Sequence, residues 1–426
     1  MKADAPHPSN RWVIVGAIIG NALEWFDFTV FGLFVPYIAK AFFPSGDELA
    51  SLLLTFATFG IGFIPRPIGA IVLGHYADRA GRRAALTLII VIMTIGTALI
   101  AIAPGYAHIG IAAPVVILVA RLLQGFSAGG EMGGATAFLI ESAPLHRRGL
   151  YASWQFAGQA GAALFGSLIA TVLTHALTAG QLESWGWRLP FLLGLAIGPV
   201  GLYLRSSMSD SAEFLAARTR PGIPLFEVWR NHRGALAQAF GITILLTAGS
   251  YLILFYMPTY AVRQLGLAPR AAFTAATVAS LLYLLVNPLA GRLSDSIGRV
   301  FQLRLVAILM LVMAYPLYRW LDLHPTLGAL IVVQGALATL LASFSGPAAS
   351  TIGELFPARV RSTGLSVGYN VAVPIFGGFA PLYVAPLAVS HPLAPAYYLV
   401  ACAILTIATL LSLPLVRQRD RRNAST

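Results

Sequence analysis

Gly74-His-Tyr-Ala-Asp78-Arg-Ala-Gly81-Arg82-Arg83 and Gly291-Arg-Leu-Ser-Asp295-Ser-Ile-Gly298-Arg299 are two copies of one pattern, G-x-x-x-D-x-x-G-R, offset by 217 positions in a chain of 426. A second pair follows at nearly the same spacing. Glu141-x-x-Pro144-x-x-x-Arg148-Gly149 and Glu354-x-x-Pro357-x-x-x-Arg361-Ser362 are offset by 213. Two motifs repeating at one spacing imply a duplicated unit. Both pairs lie in short basic breaks between long apolar runs. Duplicated sets of membrane helices with matching loops are a common plan of secondary transporters.

The composition agrees with a membrane setting. Hydrophobic residues make up 58% of the chain and charged residues 10%, with a mean hydropathy of +0.77. A soluble chain carries roughly a quarter charged residues, and a spanning helix takes about 20 apolar ones. Cutting at the polar breaks predicts twelve spans, near 12–37, 50–74, 84–103, 112–140, 150–173, 189–204, 235–262, 272–291, 301–319, 326–352, 363–388 and 393–416. The longest polar stretch, Arg205 to Arg233, divides six from six. The expected architecture is all-α: transmembrane units at 1–204 and 235–426, joined by a central loop at 205–234.

The formal net charge of +12 invites a nucleic-acid reading, which the distribution of charge rejects. With a cytoplasmic N-terminus, all but seven of the 28 Lys and Arg fall in the tails, the central loop and the loops after the second, fourth, eighth and tenth spans. The exceptions are Lys40, Arg188, Arg263, Arg270 and Arg319 outside, and Arg66 and Arg121 within the membrane. This positive-inside bias puts both termini in the cytoplasm. Cys402 is the sole cysteine, so neither a disulfide framework nor a cysteine metal cluster is expected. The N-terminal apolar run contains Glu24 and Asp27 and is too long for a cleaved signal, so the first span is retained.

Five charges sit inside apolar segments: Glu24, Asp27, Arg66, Arg121 and Glu131. Each costs roughly 2.5–3.5 kcal/mol at a helix centre, which makes an intramembrane charge a functional residue by default. All five lie in the first half. The second half offers Tyr251, Tyr256, Tyr260, Asn287, Gln334, Tyr369 and Asn370 instead. Asn21, Glu24 and Asp27 recur at i, i+3 and i+6, on one side of the first helix. Arg121, Gln124 and Glu131 share an arc of the fourth, and Gln155 and Gln159 share a face of the fifth. Such stripes are expected to turn toward a shared cavity. Three acids against two arginines leave one carboxylate in excess, and a buried unpaired carboxylate takes up a proton. That is a coupling device for an anion bound on arginine. Permanent interhelical salt bridges are the alternative, and Arg66 in particular is either a substrate contact or a structural partner of Glu24 or Glu131. The Tyr residues are either site or interfacial aromatics. Asn287-Pro288 reads as a helix kink.

Asp78, Arg82, Glu141 and Arg148, mirrored by Asp295, Arg299, Glu354 and Arg361, are placed to tie helix ends together on one side of the membrane. Topological anchoring explains the arginines but not the four acids, so a latch is expected.

With these residues the chain resembles the major facilitator superfamily. Gly20-Asn-Ala-Leu-Glu-Trp-Phe-Asp27-Phe, Arg66-Pro-Ile-Gly69, Arg121-Leu-Leu-Gln-Gly-Phe-Ser-Ala-Gly-Gly-Glu131 and Trp185-Gly-Trp-Arg-Leu-Pro-Phe191 are similar to the metabolite:proton symporter family, over essentially the whole chain. That family includes bacterial carriers of citrate, tricarballylate, α-ketoglutarate, shikimate, dicarboxylates and proline or betaine. Tyr37-Ile-Ala-Lys40-Ala-Phe-Phe-Pro44 and Tyr256-Met-Pro-Thr-Tyr260 resemble the citrate/tricarballylate branch, whereas Glu24-Trp25-Phe26-Asp27 and Gly130-Glu131 are equally similar to the α-ketoglutarate carriers. The resemblance implies two six-helix bundles, alternating access and proton-driven import across a bacterial inner membrane by a monomer without a cofactor. It also implies Asp27 and Arg121 as a proton-sensitive pair.

The expected function is symport of a small di- or tricarboxylate with protons. Asp27, Glu24 or Glu131 would carry the proton. Arg121 and Arg66 would hold the anion, with Asn21, Gln124, Gln155, Gln159, Tyr251, Tyr256, Tyr369 and Asn370 around it. Alternatives are symport of α-ketoglutarate, another organic acid or a zwitterion, drug export by antiport, and a non-transporting sensor. Two membrane arginines argue against a cationic cargo, and the central loop is too short for an output domain. An enzyme is not expected: none of His75, His108, His146, His175, His232, His324 or His391 lies mid-membrane beside a second catalytic group.

Overall fold

A computed structural model describes residues 9–80, 82–129, 131–196 and 224–414. Every regular element among them is helical. The principal helices of the first half are α1 (Ser9–Phe42), α2 (Glu48–Ile61), α3 (Arg66–Ala80), α4 (Arg82–Ile102), α5 (Ala112–Ala128), α6 (Glu131–Glu141) and α7 (Arg148–Ala176). A further helix begins at 189. The second half contains α8 (Arg233–Gly249), α9 (Met257–Arg263), α10 (Pro269–Ile297), α11 (Arg299–Leu323), α12 (Leu327–Glu354), α13 (Arg361–Val373), α14 (Ala380–Ser390) and α15 (Ala394–Leu411).

Among the described residues ten runs are long and apolar enough to cross a membrane, and Thr87–Ile102 forms a shorter one. The expected count of twelve is thus met only in part. Thr87–Ile102 falls short of 18 residues, and the span expected at 189–204 leaves the described residues after 196.

Several expected spans are interrupted, the fourth among them dividing into α5 and α6. The second breaks at 62–65, where Gly62 and Pro65 end α2 and Arg66 opens α3. Proline supplies no N–H and blocks the preceding turn. In the second half, α8 passes into α9 through a π-helical stretch, Ser250–Tyr256, and α13 into α14 through Pro374–Gly378. Such wide turns free backbone groups and recur at functional sites.

The helices follow an inside-out pattern. Along α10, Leu281, Leu285, Leu289 and Leu293 recur every fourth residue and are exposed, while Ala276, Ala279, Ser280, Tyr283, Asn287 and Gly291 are buried. Large apolar residues face the lipid side, and small or polar residues let the helix backbones approach. α10 packs along α7 and α12. Where it meets α7, a methyl at Gly291 would lie 2.6 Å from the Gly149 carbonyl oxygen, so only glycine fits that crossing. α13 packs against α6 and α3, forming another junction between the halves.

Candidate functional site

Arg66 and Arg121 meet because α5 presses its glycines against the broken helix. A methyl at Gly125 would sit 1.6 Å from the Gly62 carbonyl oxygen, and one at Gly129 would sit 1.9 Å from that of Arg66. Gly69 returns the contact, its virtual methyl 1.8 Å from the Phe126 carbonyl oxygen. With backbones this close, both arginines are carried inward to 1% and 0% exposure.

Their guanidiniums share an aromatic box. Phe28 lies 4.7 Å from the Arg66 guanidinium and 4.5 Å from that of Arg121, and Phe63 lies at 4.6 and 6.0 Å. Trp25 completes the Arg66 side at 5.4 Å, and Phe31 and Phe59 the Arg121 side at 4.7 and 5.0 Å. A desolvated cation–π contact is worth up to about 2 kcal/mol, so ring faces replace part of the lost hydration. They do not satisfy in-plane donors. Nε and Nη2 of Arg66 and Nε of Arg121 have no hydrogen-bond partner among the described residues.

Asp27 is buried on α1 and does not touch Arg121 directly. Nη1 of Arg121 donates to Oε1 of Gln124 at 2.8 Å, and Nε2 of Gln124 donates to the Thr97 hydroxyl at 3.2 Å. The Thr97 hydroxyl donates to Oδ2 of Asp27. Both ends of the Gln124 amide are therefore committed. Gly96 makes this possible: a methyl there would meet the Gln124 side chain at 2.8 Å, so the glycine lets α4 lie against α5. Arg188 holds the far end of α4, donating to the carbonyls of Ala101 and Ala103 at 3.1 and 2.8 Å.

The stripe expected on α1 divides. Asn21 faces α7, exchanging hydrogen bonds of 3.0 Å with the Gln155 carbonyl and amide, whereas Asp27 faces Thr97. At about 100° per residue, three positions spaced i, i+3 and i+6 wind through about 120°. The two ends thus meet different neighbours, which corrects the reading of one shared side. Glu24 is buried on α1 within electrostatic reach of Tyr369.

From the second half, Tyr251 packs on Phe59 and Phe63 at 5.8 and 5.4 Å and lies within electrostatic reach of both arginines. Tyr369 approaches Gln159 and Arg66, with Asn370 buried beside it on α13. Tyr256 goes elsewhere, against Phe56 and Tyr260 at 5.8 and 6.4 Å near Arg263. The side chain of Glu131 lies outside the described residues.

Sequence reasoning missed Thr97, Tyr283 and the aromatic box. Tyr283 lies near Ser345, Ser250 and Asn287, and Asn287 Nδ2 donates to the Ser345 hydroxyl at 2.7 Å. The spacing of Tyr283 and Asn287, i and i+4 opposite the leucine stripe, was the available signal.

On the side bearing the duplicated loops, the motifs pair across the halves. Arg361 binds Glu141 at 2.8 Å, and Arg148 approaches Glu354 at 3.5 Å. Arg299 binds Asp295 at 2.9 Å and Glu354 at 2.5 Å. Asp295 also accepts the backbone N–H groups of Gly149 and Leu150, each at 2.9 Å, capping the first turn of α7. The side chains of Asp78 and Arg82 lie outside the described residues. On the opposite side Arg263 bridges the halves to Glu48 at 2.9 Å, beside a cavity of about 200 Å³ lined by Lys40, Glu48 and Arg263.

The chain matches the family model "Major Facilitator Superfamily" over residues 17–381 and again over 239–426. It is 38% identical over 371 residues to the citrate-proton symporter of Salmonella typhi, covering 86% of each chain. It is 36% identical over 409 residues to the alpha-ketoglutarate permease of Escherichia coli (strain K12), covering 96% of this chain and 94% of that one. Among solved structures, a D-xylose-proton symporter superposes with a TM-score of 0.75 at 18% identity, over 96% of this chain and 98% of the other. Internal repeat, inside-out helices and these matches agree: the chain is an integral, multi-pass membrane protein that belongs to the major facilitator superfamily.

Proposed function

We propose that this protein imports a small di- or tricarboxylate, citrate-like in chemistry, together with protons by alternating access. The observation that carries the reading is the pair of buried guanidiniums, Arg66 and Arg121, with ring faces covered and three in-plane donors, Nε and Nη2 of Arg66 and Nε of Arg121, unfilled among the described residues. A carboxylate is the complement of a planar N–H fork, and two forks suit two carboxylates. A cation brought to this box would meet two like charges in a low-dielectric site. The relatives named for citrate and alpha-ketoglutarate support the same class. Of the two, alpha-ketoglutarate is the alternative cargo.

In this scheme Asp27 or Glu24 carries the proton, with Glu131 as the third acid, and Gln155, Gln159, Tyr251, Tyr369 and Asn370 complete the site. The loop-side ion pairs form the cytoplasmic gate. Twelve helices form two six-helix bundles, 1–204 and 235–426, with both termini and the 205–234 loop on the cytoplasmic side of a bacterial inner membrane. One copy of the chain suffices, without a cofactor, and the activity is transport rather than chemical conversion.

Uptake into proteoliposomes under an imposed proton gradient tests the reading. Labelled citrate, tricarballylate or alpha-ketoglutarate should accumulate, and Asp27→Asn should abolish accumulation while sparing carboxylate exchange, which moves no net proton. Binding of betaine, proline or an organic cation in place of every carboxylate would refute the anion site.

A further inference from the structure

We infer that Thr97 and Gln124 are positioning residues for coupling, forming a neutral relay that links the occupancy of Arg121 to the protonation of Asp27. The inference rests on the carboxylate–proton reading above. Direct competition of an acid and a substrate for one arginine would require Asp27 to touch Arg121. Instead two uncharged side chains stand between them, and every link donates in the same direction: guanidinium to amide, amide to hydroxyl, hydroxyl to carboxylate. All four residues are buried, at 0% exposure for Arg121 and Gln124, 1% for Thr97 and 6% for Asp27.

The relay has two consistent settings. A threonine hydroxyl has one proton to give and two lone pairs to receive with. With Asp27 ionised, Thr97 gives that proton to Oδ2. Thr97 also has a second acceptor in place, the Met93 carbonyl oxygen one turn back at 3.1 Å. When Asp27 takes a proton from solution it becomes a donor. Thr97 then turns its hydrogen to Met93 and accepts from both Asp27 and Gln124. No net proton travels along the relay; only the direction of the Thr97–Asp27 hydrogen bond reverses.

At the other end, a substrate carboxylate on Arg121 competes with Gln124 Oε1 for Nη1 and neutralises the charge that polarises the relay. The ionised form of Asp27 thereby loses its support, so anion and proton bind together. By thermodynamic reciprocity each then raises the other's affinity equally. The groups around Asp27 fit this arrangement. Arg121 of α5 has Arg66 of α3 beside it, and Glu24 lies one turn earlier on α1. From the helix beginning at 189, Gly194 packs on Asp27, leaving only 3.0 Å between a virtual methyl and Oδ1.

Thr97→Val keeps the shape and removes the hydroxyl, while Thr97→Ser restores it. Two readouts on purified protein decide the matter. First, citrate added to weakly buffered protein should drive proton uptake in the wild type and in Thr97→Ser. The ratio of protons taken up to citrate bound should fall at least threefold in Thr97→Val. Second, the infrared carboxyl band that disappears in Asp27→Asn is titrated without ligand. Its midpoint should coincide in wild type and Thr97→Ser and differ by about one to two pH units in Thr97→Val, the equivalent of one hydrogen bond to a charged group. Thr97→Val with wild-type proton uptake and an unmoved carboxyl midpoint would overturn the relay. Failure of the wild type to bind any carboxylate would instead sink the substrate reading, with the ligand-free titration still deciding the relay.

Discussion

Asp295→Asn should unlatch the loop-side closure without touching the buried arginines. The wild-type carboxylate accepts the N–H groups of Gly149 and Leu150 from the other half at 2.9 Å each, and its side chain is 7% exposed. Asparagine preserves the shape but offers one acceptor, so its amide nitrogen is turned toward a second donor. One hydrogen bond to a charged acceptor is worth about 1.5–3 kcal/mol. Removing negative charge from the first turn of α7 adds about 0.3–1 kcal/mol. The Arg299–Asp295 pair lies within one half and is lost equally in open and closed states, so it cancels. The cross-half contacts exist only when this side is closed, and their loss enters the conformational equilibrium directly. A shift of about 2 kcal/mol is roughly thirtyfold. The assay uses Ser153→Cys in a Cys402→Ser background, because Ser153 is fully buried against Gly291 where α7 meets α10. Maleimide labelling of that cysteine should accelerate at least tenfold in Asp295→Asn, with citrate binding held within a few fold. Unchanged labelling in a folded variant would refute the latch, and a collapse of binding would assign Asp295 to the site.

Two further outcomes test the site's construction. Arg121→Lys keeps the charge but loses the planar fork, so citrate should bind at least tenfold more weakly by calorimetry, with one charge-assisted contact of about 1.5–3 kcal/mol gone. Gly125→Ala should abolish folded protein in size-exclusion chromatography, since its methyl would lie 1.6 Å from the Gly62 oxygen, whereas Gly161→Ala, with open space around it, should be tolerated.

What was legible in the sequence were the features that stand out against an apolar background. Charges in spans, paired loop motifs and the polar divide at Arg205–Arg233 all announce themselves by composition. Partner choice did not. Glu141 pairs with Arg361 rather than with the nearby Arg148 because the two copies of the motif face each other, and linear spacing holds no distance across that junction. Thr97 was hidden for a different reason. A threonine in an apolar helix ordinarily bonds the carbonyl four residues back, and Thr97 is placed to do this as well. Phe28, Phe31, Phe59 and Phe63 look like lipid-facing or core residues until two cations are found between them.

The two closures are unequal, and the inequality has a direction. On the loop side several contacts cross between the halves: Asp295, its side chain 7% exposed, accepts two backbone N–H groups of α7, Arg148 faces Glu354 at 21% and 15% exposure, and Arg361 binds Glu141 at 10% and 49%. On the other side, among the described residues, the charged bridge between the halves is Arg263–Glu48, with Glu48 69% exposed. An exposed pair contributes about 0–1 kcal/mol because water competes for both partners, whereas each backbone N–H donated to the shielded Asp295 carboxylate contributes about 1.5–3 kcal/mol. The electrostatic balance therefore favours opening away from the loops. On the proposed orientation that is the outer face, where protons and carboxylate arrive together. Neutralising Asp27 and filling the arginine box would remove the separated charge that burial penalises, so the loaded carrier, unlike the empty one, gains from closing over its site.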